Sequence, residues 1–99
     1  MSSRLTLKFC DLQLSSPIVL LSGCVGFGEE YTRVEGFSNQ DVGAIVLKGT
    51  TLQPRLGNPP HRLWETPSGM LNAIGLQNPG VDKVVTEILP SLNFSETRF

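Results

Sequence analysis

The sequence predicts an α/β fold: the N-terminal portion of a (β/α)8 TIM barrel, preceded by a short β-hairpin. Three observations predict it. Residues 4–14 alternate between apolar and polar positions, the period-two signature of a strand pair with one buried face. Two continuous apolar runs follow, Ile18 to Leu21 and Ala44 to Leu47, beginning 26 residues apart with helix-like sequence between them. Runs apolar on both sides suit strands of a parallel sheet, and the spacing suits a βαβ unit. Finally, a barrel of this class needs about 250 residues, and the second β/α unit closes near residue 90, so the 99 residues are expected to be an incomplete barrel.

The hairpin places Leu5, Leu7 and Phe9 on one face, with Leu12 and Leu14 repeating the pattern after Cys10 and Asp11. Pro17 opens the first apolar run, and Ser22-Gly23 ends it. Residues 29–37 predict a weak helix with Tyr31 and Val34 inward, ended by Gly36. Ser38 predicts a cap for a further short turn through Asp41. The second run ends at Lys48-Gly49. Residues 49–80 are crowded with Gly, Pro, Asn and Thr, and a loop of that length is uncommon unless it is functional. Within it, Arg62 to Glu65 and Met70-Leu71 predict a small ribbon turning at Thr66 to Gly69. Val81, Val84, Val85, Ile88 and Leu89 recur at spacings of three and four, which predicts a helix that Pro90 ends or nearly ends.

Composition narrows the function classes. A formal net charge of −1 gives no basic face, so no nucleic-acid partner is expected. No apolar run approaches the ~18 residues of a membrane span, and no secretory signal is legible at the start. Cys10 and Cys24 have no Cys-x-x-Cys spacing, and one histidine, His61, cannot complete a zinc set. They read as free thiols in a reducing cytoplasm, Cys24 as a small buried one. No metal site is expected. His61 reads as an exposed loop residue. Trp64 and Phe27 read as packing residues.

In β/α barrels chemistry gathers at the carboxyl ends of the strands. Here those ends are Ser22-Gly23 and Lys48-Gly49. Glycines there let backbone N–H groups approach a phosphate or a flat ring. Lys48 either places a cation at the barrel mouth or marks the strand's exit into water, and position alone leaves both open. The order of Gly23, Gly26 and Gly28 is not the dinucleotide fingerprint, and Gly43 to Thr50 lacks the Gly-Lys-Ser/Thr of a P-loop. Asn72 to Gly80 carries amides and glycines before a helix. Successive N–H groups there could hold an anion, and Asn72 offers a ring amide both a donor and an acceptor. Plain turn chemistry explains the same residues.

The stretch from Lys48 to Pro60, followed by Glu65 to Gly80, resembles class 1 dihydroorotate dehydrogenase, above all its NAD-linked 1B catalytic subunit. Ser22-Gly23 with Gly26-Phe27-Gly28 fits that subgroup's first loop, and the resemblance runs from about residue 4 to residue 90. It implies that residues 1–99 form the N-terminal part of a single FMN-binding barrel domain. It implies a cytoplasmic oxidoreductase of pyrimidine biosynthesis that oxidises dihydroorotate to orotate. Ser22, Lys48 and Gly49 would contact FMN. Lys48, Asn72, Ala73, Ile74, Gly75 and Leu76 would hold the substrate. Electrons would pass to NAD through a partner subunit carrying FAD and an iron–sulfur centre, in an oligomeric full-length protein. The family's catalytic base is a cysteine on a later loop, expected beyond Phe99 and matched by neither Cys10 nor Cys24, so this chain alone is expected to be inactive. Cys24-Val25 stands where Thr and an aromatic are commoner, and Asn93 to Phe99 does not resemble an apolar third strand. Two alternatives stand beside this reading: a non-catalytic truncated remnant, and the FMN domain of a dihydropyrimidine dehydrogenase.

Overall fold

The computed structural model describes residues 4–99. The chain divides into two compact units: the stretch up to Lys48 together with Ser91–Phe99, and Gly49–Pro90.

The first unit begins with the expected hairpin, β1 (Leu7–Phe9) and β2 (Leu12–Leu14), antiparallel with Leu7 opposite Leu14 and Phe9 opposite Leu12. Its two-residue turn, Cys10-Asp11, has positive φ at both positions, 47° and 66°. That is the backbone hand that matches strand twist, here without the usual glycine. The predicted apolar face exists, but only Leu14 is buried, while Phe9 is 60% exposed. Two short strands cannot cover a face by themselves.

β3 (Val19–Leu20) and β4 (Ala44–Ile45) pair in parallel, Val19 with Ala44 and Leu20 with Ile45. Backbone bonds from Gly43 N to Ile18 O and from Val46 N to Leu20 O, both 2.8 Å, extend the ladder toward the predicted bounds. Burial of both faces does not follow: Ile18, Leu21 and Val46 are exposed. A parallel strand needs a layer on each side, and among the described residues one side is covered. That side is the core of Val25, Val42 and Ile45, with Leu20, Phe37, Leu47 and Phe99 packed on it. Gly43 permits this closeness, because a Cβ there would collide with the Ser16 carbonyl.

The crossover is not the helix predicted over 29–37. Only a 3₁₀ turn forms, Tyr31–Arg33, and Val34 is already extended at ψ 124°. Thr32 and Val34 are stiff at χ1, and Gly36 follows at once, leaving too few residues to offset the cost of helix nucleation. Tyr31 and Val34 consequently stay exposed. The second turn, Asn39–Asp41, forms as predicted. Ser38 Oγ accepts from Gln40 N, and Ser38 N donates to Asp41, a reciprocal cap.

The last residues hold a position the sequence does not announce. Arg98 bridges Ala44 in parallel, and Ile45 N donates to Arg98 O at 2.8 Å. Thr97 is buried and donates its hydroxyl to Val42 O at 2.8 Å. Ala44 thus has Val19 on one side and Arg98 on the other, the place of a third parallel strand. Hydrogen bonding places this segment where apolar patterning gave no signal.

The second unit carries the predicted ribbon, β5 (Leu63–Thr66) and β6 (Gly69–Asn72), joined by Pro67-Ser68 with Trp64 opposite Leu71. Trp64 is 70% exposed, so its expected packing role fails here. The helix winds as α over Val81–Lys83, as π over Val84–Ile88 and as α again over Leu89–Ser91. It therefore continues through Pro90. The π-wound turns accommodate a ring that would otherwise press on the carbonyl four residues back. Val84 is the buried anchor of its apolar stripe, while Val85 is exposed. Among the described residues no helix is long and apolar enough to cross a membrane.

Candidate functional site

The predicted site residues fall in both units, and each half is built separately. In the first unit, Ser22 opens the loop after β3 and is exposed. Lys48 follows β4 and is half-buried. Its backbone N donates to Gly26 O at 2.8 Å, which ties the two strand-end segments together. The adjacency comes directly from parallel pairing, since paired strands end on the same side.

The glycine loop between them is braced from within. The Glu30 carboxylate accepts from Phe27 N, Gly28 N and Glu29 N, each at 3.1 Å. Asn39 Nδ2 donates to Gly28 O at 2.8 Å, and the Tyr31 hydroxyl donates to Cys24 O at 2.9 Å. An internal carboxylate therefore already takes the N–H groups of Phe27, Gly28 and Glu29, a role for Glu30 that the sequence reading missed. Cys24 is also exposed rather than buried.

In the second unit, Asn72 ends β6 opposite Leu63. It is exposed, and its side chain makes no hydrogen bond among the described residues. Ala73 N donates to Arg62 O at 2.8 Å. From there, four successive carbonyls are held by the loop of residues 51–62 or by Asn78. Asn58 Nδ2 donates to Ala73 O at 2.7 Å, and Asn58 N to Ile74 O at 2.8 Å. Arg55 Nε donates to Gly75 O at 2.7 Å, and Asn78 Nδ2 to Leu76 O at 2.9 Å. The backbone N–H groups of Ile74, Gly75 and Leu76 donate to nothing among the described residues. Gly75 and Leu76 both have positive φ, 82° and 57°, the second uncommon for a side chain of that size. Three successive N–H groups without an internal partner are available to an anion.

The loop that holds these carbonyls is itself fixed. Arg55 and Asn78 exchange two backbone bonds of 2.9 Å. The buried Asn78 amide accepts from Thr51 N at 3.1 Å and Gly80 N at 3.0 Å. Arg62 reaches Leu56 O, Asn58 O and the side chain of Gln77. At Gly57, with φ 77°, a Cβ would collide with Ile74 O, so glycine is what allows the two segments to meet. The sequence reading singled out none of Arg55, Asn58, Arg62 or Asn78. Asparagine and arginine between glycines and prolines look like ordinary turn chemistry until their partners, 12 to 27 residues away, are seen.

The family model for dihydroorotate dehydrogenase matches residues 4–98. The chain belongs to the dihydroorotate dehydrogenase family. Among its relatives are the proteins named dihydroorotate dehydrogenase B (NAD(+)), catalytic subunit, of Bacillus caldolyticus and Geobacillus kaustophilus. Each is 56% identical over 90 residues, which is 91% of this chain and 28% of the relative. The protein of that name from Streptococcus pneumoniae strain R6 is 50% identical over 91 residues, 92% of this chain and 28% of the relative. The chain thus spans little more than a quarter of the length of these dihydroorotate dehydrogenase relatives.

Proposed function

We propose that this chain forms part of the FMN-binding barrel of an NAD-linked dihydroorotate dehydrogenase catalytic subunit, oxidising dihydroorotate to orotate in the cytoplasm. The observation that carries the reading is the 73–76 segment: four carbonyls turned back into the unit and three N–H groups left to face an anion. A carboxylate is the anion a dihydropyrimidine acid presents. Ile74, Gly75 and Leu76 take it on backbone N–H groups, with Ala73 in the same turn. Asn72 pairs its amide with the ring amide. By the family resemblance Lys48 would supply a cation that favours an anionic substrate.

The donor set also fits a flavin in part. Ser22 and Lys48 stand at the ends of adjacent parallel strands, a hydroxyl and an ammonium within one tied segment, and Gly49 adds backbone without a side chain. Glu30 already holds the N–H groups of Phe27, Gly28 and Glu29 in the first loop, which favours a phosphate site on other residues. When bound, FMN supplies the hydride acceptor. The chain's own residues bind and orient the substrate. Electrons leave to NAD through a partner subunit, as the NAD(+) and subunit in the relatives' names support; that the partner carries FAD and an iron–sulfur centre is what the family resemblance implies.

The test is anaerobic reduction of the FMN-loaded subunit at the relatives' full length, with residues 1–99 as here. Dihydroorotate bleaches the flavin absorbance, and Asn72→Ala shifts the required concentration upward by about tenfold or more. A wild-type flavin that dihydroorotate never reduces overturns the proposal.

A further inference from the structure

We infer that Arg55 and Asn58 are positioning residues for the substrate carboxylate, acting as a clamp on the carbonyls of the 73–76 segment; the inference rests on the function proposed above. Neither side chain donates to the anion. Arg55 Nε is spent on Gly75 O at 2.7 Å, and Asn58 Nδ2 on Ala73 O at 2.7 Å.

The clamp is needed because of what the segment is made of. Gly75 adopts either sign of φ with little preference. A peptide next to such a residue flips easily, and a flip exchanges an outward N–H for an outward carbonyl oxygen. A carbonyl oxygen facing a carboxylate repels it. Leu76 at φ 57° is disfavoured on its own and persists only where the surroundings hold it. Asn78 Nδ2 on Leu76 O, at 2.9 Å, gives that hold on the far side. Every carbonyl from Ala73 to Leu76 is therefore engaged, and the donors are preorganised before any ligand arrives. A steric limit adds to the clamp: a Cβ on Gly75 would lie 2.8 Å from Asn58 N, so the two segments are already at closest approach.

Arg55 and Asn58 are both exposed, so substituting them removes bonds without opening a core. The test uses the FMN-loaded subunit at the relatives' full length and two probes: orotate, and uracil, which shares the ring and lacks the carboxylate. Affinities are read from flavin difference spectra. Arg55→Lys keeps the charge and loses the Nε bond, while Asn58→Ala loses the Nδ2 bond and keeps the backbone bond to Ile74. Each variant is expected to bind orotate about tenfold more weakly and to bind uracil and retain FMN as the wild type does. Variants that keep the wild-type preference for orotate overturn the clamp and leave the substrate reading standing. Equal losses of orotate and uracil also overturn it, because they report a general structural role. A wild-type protein with no preference for orotate over uracil overturns the substrate reading itself, and the clamp with it.

Discussion

Replacing Asn78 by alanine removes the most connected side chain in the second unit. Its Oδ1 accepts from Thr51 N at 3.1 Å and Gly80 N at 3.0 Å, and its Nδ2 donates to Leu76 O at 2.9 Å and Thr51 Oγ1 at 3.0 Å. Asn78 is 6% exposed, and Gly80 is buried. Water therefore replaces some of these partners poorly. A buried group left unpaired costs about 1–3 kcal/mol, and a half-exposed one nearer 1 kcal/mol. Gly80 N takes the larger penalty, and Thr51 N and Leu76 O the smaller, so the local loss is about 3 kcal/mol. Native-state hydrogen exchange reads it. The amides of Arg55 and Val81, which bond Asn78 O and Thr51 O at 2.9 Å each, are expected to exchange on the order of 100-fold faster in Asn78→Ala. Unchanged exchange at Arg55 and Val81 in the alanine variant would show that backbone pairing, not the amide, fixes this loop.

Other outcomes follow from the same structure. Gly43→Ala drives a methyl into the Ser16 carbonyl and should destabilise the first unit by about 1–3 kcal/mol in urea melts; an unchanged midpoint would contradict the packing described. Glu30→Ala leaves three N–H groups of the glycine loop without their carboxylate, and limited proteolysis within residues 26–36 should become several-fold faster, with an unchanged rate counting against the brace. Cys10 and Cys24 are both exposed and free, so both should react with a thiol reagent without denaturant; a thiol that needs unfolding first would place it inside.

Glu30 and residues 74–76 treat consecutive N–H groups in opposite ways. Both segments present consecutive N–H groups, and glycines stand in each. One is satisfied by an acidic side chain of its own, and the other is held open by amides and a guanidinium that engage the carbonyl side instead. A glycine-rich loop by itself does not tell which case holds, because both need the same backbone freedom.

By itself the sequence determined the hairpin, the two apolar runs, their parallel pairing, the Ser38 cap and the ribbon. Each of these rests on local information: alternation, run length, a capping residue, or a turn pair with strand formers on both sides. The resemblance to dihydroorotate dehydrogenase was legible for a related reason, since the stretch from Lys48 to Gly80 carries its identity in residue order alone. Residues 29–37 fail to become a helix for local reasons that the sequence already carried, in Thr32, Val34 and Gly36. What only the tertiary structure decided depends on partners distant in the chain. The third-strand place of Arg98 was set by a pairing 54 positions away, with Ala44. The direction of the N–H groups at 74–76 was decided by Arg55, Asn58 and Asn78. Peptide orientation in a glycine loop costs almost nothing to reverse locally, so only bonds from elsewhere in the chain can select it.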